Sequence, residues 1–123
     1  FGVDEQLLSS LPYGAEGWVG STYNHLAPLY YEIISSFKAG DMEHASKLQQ
    51  KAVTFVETLD KMGGFNGAGK SFMRLFGLDL GPSRFPHTTL TNSQLITAVK
   101  SYENIELMPY LSSEFNAGSL KAY

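Results

Sequence analysis

At 123 residues the chain has the length of one domain, and a domain of this size buries about two-thirds of the surface its unfolded form exposes. Hydrophobic residues make up 43% and charged residues 17%, on the globular side of the disorder boundary, and a formal net charge of −3 with nine scattered basic residues leaves no footprint for nucleic acid or an anionic membrane. The absence of cysteine excludes a disulfide framework, a thiolate nucleophile and a Cys-type zinc site and is compatible with a cytoplasmic location; no apolar run reaches the roughly 18 residues of a membrane helix.

No secretory leader pattern opens the chain, and a start on Phe1 within structured-looking sequence reads as a piece of something larger. Asp4 to Leu11 (DEQLLSSL) has two acids in its first turn, apolar Leu7, Leu8 and Leu11, and Pro12 and Gly14 as stops, which predicts a short helix. In GAEGWVGSTYN, Trp18 and Val19 lie between glycines and predict a short buried strand. Pro28 fits only the first turn of a helix, so a helix is expected from about Leu26 or Ala27 to Ala39. Its apolar face is Leu26, Leu29, Tyr30, Ile33, Ile34 and Phe37, and Gly40 ends it.

Asp41 caps the next helix, whose stripe of Ala45, Leu48, Ala52, Phe55, Val56, Leu59 and Met62 is the strongest period in the chain before Gly63-Gly64 closes it. Ala68 to Phe76 reads as a short helix ended by Gly77, and Gly81-Pro82 opens an extended stretch to Pro86. Thr91-Asn-Ser-Gln94 is a capping box that starts a helix burying Leu95, Ile96, Ala98, Val99 and Tyr102. Residues 103–123 show no clear period and read as a loose tail or docking arm behind a body of residues 1–102. About five helices and at most two short strands leave two options: a nearly all-α domain, or a strand belonging to a sheet completed elsewhere.

GFNGAGKS (Gly64 to Ser71) fits the phosphate-loop pattern G-x-x-x-x-G-K-[ST] letter for letter. That chemistry needs a buried strand to deliver the glycines to a helix N-terminus, and the residues before Gly64 form an amphipathic helix instead. No downstream strand ends in an Asp suited to hold Mg²⁺. The stretch therefore reads as a helix–glycine turn–helix connection with Lys70 solvated. His25, His44 and His87 show no paired ligand spacing, no G-x-S-x-G elbow surrounds a serine, and Tyr30, Phe37 and Phe55 at helical spacing read as core. No metal or cofactor is expected.

Asp4-Glu5 is a more promising feature. Taken alone, acids at a helix N-terminus are stabilisers. A second strand end, Gly20-Ser21-Thr22, follows about one αβ unit later, and in an α/β barrel successive strand ends share one mouth. Two carboxylates and a hydroxyl converging there suit a polyhydroxylated ligand.

With these residues in view, GVDEQLLSSLPYGAEGWVGSTYN resembles the C-terminal part of the N-acetylneuraminate lyase family, class I aldolases of the dihydrodipicolinate synthase-like superfamily. G-x-D-E at the end of the seventh barrel strand and G-x-x-G-x-x-G-S-T-Y-N through the eighth both occur with the family's separation. The similarity continues through GDMEHASKLQQ, GGFNGAGK and GPSRFP, from about Gly2 to Pro86. The resemblance implies an α/β fold, the C-terminal portion of a (β/α)8 TIM barrel, here mostly helical with one or two short strands. It implies metal-free cleavage of N-acetylneuraminate to N-acetylmannosamine and pyruvate through a lysine Schiff base, in a cytoplasmic homo-oligomer, tetrameric in this family.

Carried over by position, Asp4, Glu5 and Ser21 match residues that hold the sugar's hydroxyl-bearing end, Gly2 and Gly20 match backbone contacts beside them, and Phe65 matches an aromatic near the pocket. The same resemblance puts GFNGAGKS at the barrel mouth as a loop between helices. It places the Schiff-base lysine and the proton-shuttling tyrosine upstream of Phe1, so the chain alone is expected to be inactive and to need the rest of the barrel or a partner chain. The alternatives are another pyruvate-dependent aldolase of the superfamily, or a non-catalytic helical module whose exposed apolar faces serve assembly.

Overall fold

The computed structural model describes residues 1–122, with the backbone alone described at Phe65, Ser119, Lys121 and Ala122. Helix α1 (Leu7–Ser10) is one α-turn flanked by 3₁₀ turns at Asp4–Gln6 and Leu11–Tyr13, and Gly14 (φ 78°) ends it in the left-handed region that glycine enters without penalty. Helices α2 (Tyr23–Lys38) and α3 (Met42–Lys61) form an antiparallel hairpin. The turn between them is made by Gly40, and by Asp41, whose carboxylate accepts from the His44 N–H at 3.0 Å. Helix α4 (Phe65–Phe72) runs on into a 3₁₀ turn at Met73–Phe76, and α5 (Asn92–Asn104) starts at the predicted capping box on Thr91 and Gln94.

Of the one or two short strands expected, the described residues contain no regular one, and Val19, expected in a buried strand, is exposed. Phe1–Val3 and Gly17–Val19 instead run extended side by side. The Phe1 amino group donates to the Gly17 carbonyl and the Val19 N–H to the Phe1 carbonyl, each at 2.9 Å. One residue bonding to both neighbours of its opposite number is the parallel pairing pattern. A single rung is too short to propagate a ladder, yet it sets the ends of these segments side by side.

Pro28 shapes the top of α2 in a way the sequence only half reveals. The helix begins at Tyr23 and breaks at Leu26 (φ −128°, ψ 31°), two residues before the proline, instead of starting at Leu26 or Ala27. Proline offers no N–H to the carbonyl four residues back, which is Asn24. That oxygen accepts from the Ser112 hydroxyl at 3.1 Å, and the neighbouring His25 carbonyl accepts from the Ser112 N–H at 2.8 Å. The C-terminal residues thus dock onto carbonyls exposed by the kink.

They are not loose. Leu107, Leu111 and Leu120 are buried with Leu26, Leu29, Ile33, Leu48, Phe55 and Leu59 of the hairpin. Lys51 donates to the Ile105 and Glu106 carbonyls at 2.7 and 3.2 Å, closing the end of α5. Phe55, Phe72, Phe76 and Tyr102 fill the centre with edge-on or tilted ring pairs. Aperiodic sequence hid this packing, because short 3₁₀ turns bury one residue at a time and leave no stripe. Ile96, expected in the core, is 47% exposed.

Candidate functional site

The ends of the two extended segments open onto a cleft of about 350 Å³ lined by Gly2, Val3, Asp4, Glu5, Gly20, Ser21, Thr22 and Val56. Five of the six residues singled out from sequence therefore meet in one place. The sixth, Phe65, opens α4 behind Gly64 (φ 96°), and its side chain lies outside the described residues. Asn66, Gly69 and Lys70 of that helix line an adjoining cleft of about 410 Å³, which shares Ser21 with the first.

Within the cleft the two acids differ. Glu5 is half-buried, whereas Asp4 is 6% exposed and its carboxylate is engaged inside the protein. Asp4 Oδ2 accepts from the Thr22 N–H at 3.0 Å and also from the Thr22 hydroxyl, and that hydroxyl lies 2.7 Å from the Tyr30 hydroxyl. A Cβ at Gly20 would overlap the Asp4 carboxylate, so glycine is required there by close approach. Sequence reasoning missed Thr22 and Tyr30: one sits inside GSTYN beside the chosen serine, the other on a face read as plain core. Burial, and secondarily the Asp4 charge, pushes the Tyr23 phenol well above its ordinary value; burial does the same at Tyr30, so both remain donors at neutral pH.

GFNGAGKS is helical rather than a loop: only Gly63-Gly64 turns, and the rest is α4. The two side chains that would face phosphates are engaged by backbone groups. Lys70 donates to the Pro82 carbonyl at 2.9 Å, and buried Ser71 donates to the Gly67 carbonyl at 2.9 Å while accepting from the Leu90 N–H at 3.0 Å. His25 Nε2 donates to the Gly69 carbonyl at 2.9 Å within a cage of Phe55, Phe72 and Phe76, and burial drives its pKa below the usual 6.5. His44 pairs with Glu32 at 2.7 Å. Among the described residues no group of His, Asp and Glu is arranged to hold a metal, no helix is long and apolar enough to cross a membrane, and no lysine lines the Asp4 cleft.

Acidic and hydroxyl side chains at the ends of adjacent parallel segments, backed by helices, are the parts of a (β/α)8 barrel mouth. The chain belongs to the dihydrodipicolinate synthetase family, whose model matches residues 1–104. Within it the chain is similar to N-acetylneuraminate lyases. It is 40% identical to N-acetylneuraminate lyase A of Xenopus laevis over 70% of this chain and 28% of that protein, and 38% identical to the Mus musculus enzyme over 92% and 35%. The solved Proteus mirabilis N-acetylneuraminate lyase matches with a TM-score of 0.76 and 37% identity, covering 87% of this chain and 36% of that one. The chain thus spans about a third of the length of the relatives it matches.

Proposed function

We propose that the chain supplies the sugar-binding side of an N-acetylneuraminate lyase, a Schiff-base aldolase that cleaves N-acetylneuraminate to N-acetylmannosamine and pyruvate. The observation that carries this reading is the convergence of Gly2, Asp4, Glu5, Gly20 and Ser21 on one cleft. Glu5 and exposed Ser21 offer an acceptor and a donor–acceptor to sugar hydroxyls, and family resemblance matches Gly2 and Gly20 to backbone contacts beside them and Phe65 to an aromatic near the pocket. In such an aldolase a protonated lysine imine takes up the electron pair released when the C–C bond breaks.

No described lysine reaches the cleft: Lys51 and Lys70 are held by backbone carbonyls elsewhere. We assign the imine lysine to polypeptide outside residues 1–123 and expect this chain alone to be inactive. The remainder of the barrel would also cover Val19 and Tyr31, apolar residues 82% and 73% exposed here. Family resemblance supports a cytoplasmic homo-oligomer. The Asp4-Glu5 pair and GSTYN favour a sialic acid substrate over those of other pyruvate-dependent aldolases.

Borohydride trapping with pyruvate, read by intact mass on every polypeptide of the active assembly, tests the assignment. A reduced pyruvyl adduct is expected on the segment that completes the barrel. An adduct on Lys38, Lys47, Lys51, Lys61, Lys70, Lys100 or Lys121 would sink it.

A further inference from the structure

The hydrogen-bond pattern around Asp4 divides the cleft into residues that face a ligand and residues that hold them. A carboxylate only accepts, so the single Thr22 hydroxyl proton goes to Asp4 Oδ2 and its oxygen is left to accept from Tyr30. The direction of the chain is fixed: Tyr30 to Thr22 to Asp4. Asp4, Thr22 and Tyr30 are 6%, 1% and 4% exposed, so water does not compete for these bonds.

Geometrically the three residues tie together pieces distant in sequence. Asp4 ends one extended segment, Thr22 follows the other, and Tyr30 lies two turns into α2. Gly20 is packed against the Asp4 carboxylate, and the Ser21 carbonyl accepts from Asn24 Nδ2 at 3.0 Å, so the peptide on each side of Ser21 is fixed. Gln49 of α3 reaches in from a third direction, accepting from the Leu8 N–H at 2.9 Å and donating to the Asp4 carbonyl at 3.2 Å. Ser21 itself is exposed at the cleft.

We propose that Asp4, Thr22 and Tyr30 form a buried positioning clasp that aims Ser21 and Glu5 at the ligand's hydroxyl-bearing end, with Thr22 and Tyr30 as its positioning residues. This rests on the sugar-cleft reading above. The clasp sets where the ligand-facing oxygens stand, and its loss is felt in recognition of the sugar and not in the chemistry of the imine.

The test is steady-state kinetics in the assembled enzyme. Thr22→Val keeps the side-chain shape and the backbone N–H bond to Asp4 while removing the hydroxyl relay. It should raise KM for N-acetylneuraminate by roughly tenfold, with kcat and the synthetic-direction KM for pyruvate within about twofold of wild type. Thr22→Ser should restore the sugar KM, and Tyr30→Phe, which preserves the ring packing, should raise it about threefold. An unchanged sugar KM in Thr22→Val, or a fall in kcat with both KM values constant and no rescue by serine, overturns the clasp. A wild-type assembly that cleaves no sugar acid overturns the aldolase reading instead.

Discussion

Gly67→Ala and Gly69→Ala lie two residues apart in α4, and the structure predicts opposite signs for them. Helix propensity alone favours alanine at both positions by about 1 kcal/mol. At Gly69 a Cβ would meet His25 Cε1 at 3.6 Å and Leu59 Cδ1 at 3.8 Å, ordinary contacts, so the propensity gain survives. At Gly67 it would fall inside the van der Waals shell of the Thr88 carbonyl oxygen and 3.0 Å from the Thr88 nitrogen. These are backbone atoms, and their segment is fastened by the Leu90 N–H to Ser71, by Arg74 to the Leu90 carbonyl and by Lys70 to Pro82. Moving the segment away breaks the buried Leu90–Ser71 bond, at about 1–3 kcal/mol. It also uncovers part of the Leu90 side chain, now 1% exposed, at about 1 kcal/mol more. Against the propensity gain, Gly67→Ala should lose about 1–3 kcal/mol, some 4–12 °C in Tm for a domain of this size. Gly69→Ala should match or exceed wild type. Circular dichroism melts and urea midpoints read both, and a Gly67→Ala protein as stable as wild type would refute the close-approach argument.

Two further outcomes follow from the same region. Burial holds the His25 pKa below 6.5 in the folded state, so as pH falls the unfolded chain takes up the proton first; stability is full above about pH 6.5 and declines below it by up to about 1.4 kcal/mol per pH unit until the folded value is reached. Urea midpoints between about pH 7.5 and about pH 5 should show this slope, and His25→Gln, which can keep a donor to Gly69, should reduce it by about one proton; an equal slope in the variant would sink the assignment. Because Lys70 and Ser71 bond to backbone groups and lie on a helix that follows a helix, about 1 mM Mg-ATP should leave Tm within about 1 °C, whereas a ligand at a hundred times its Kd would add about 2.7 kcal/mol and a rise of several degrees.

How far the sequence exposed this molecule depended on whether each signal was periodic. The α3 stripe and the Thr91-Gln94 capping box could be read directly, since regular helices repeat their burial every three to four residues. The phosphate-loop letters lie in the setting the periodicity indicated, behind one helix and along the next, and not at the end of a strand. Asp4, Glu5, Gly20 and Ser21 could be brought together only by assuming that two short extended segments lie in parallel, and a single rung between Phe1 and Gly17–Val19 supports that assumption. What sequence could not separate was the division of labour within the cleft. Asp4 and Glu5 are adjacent acids, and only burial assigns one inward and the other outward.

The same limit explains the C-terminal residues. A proline two residues beyond a break in α2 exposes two carbonyls, and Ser112, more than 80 positions later, supplies both donors. Neither half of that match is visible alone: the proline reads as a helix start and the serine as part of an aperiodic tail. His25 joins them to the site, since its carbonyl holds Ser112 while its imidazole holds α4 through Gly69. The kink therefore serves the cleft as well as the fold, because one residue at the break fixes the helix that borders the second half of the opening and the segment that closes the core behind it.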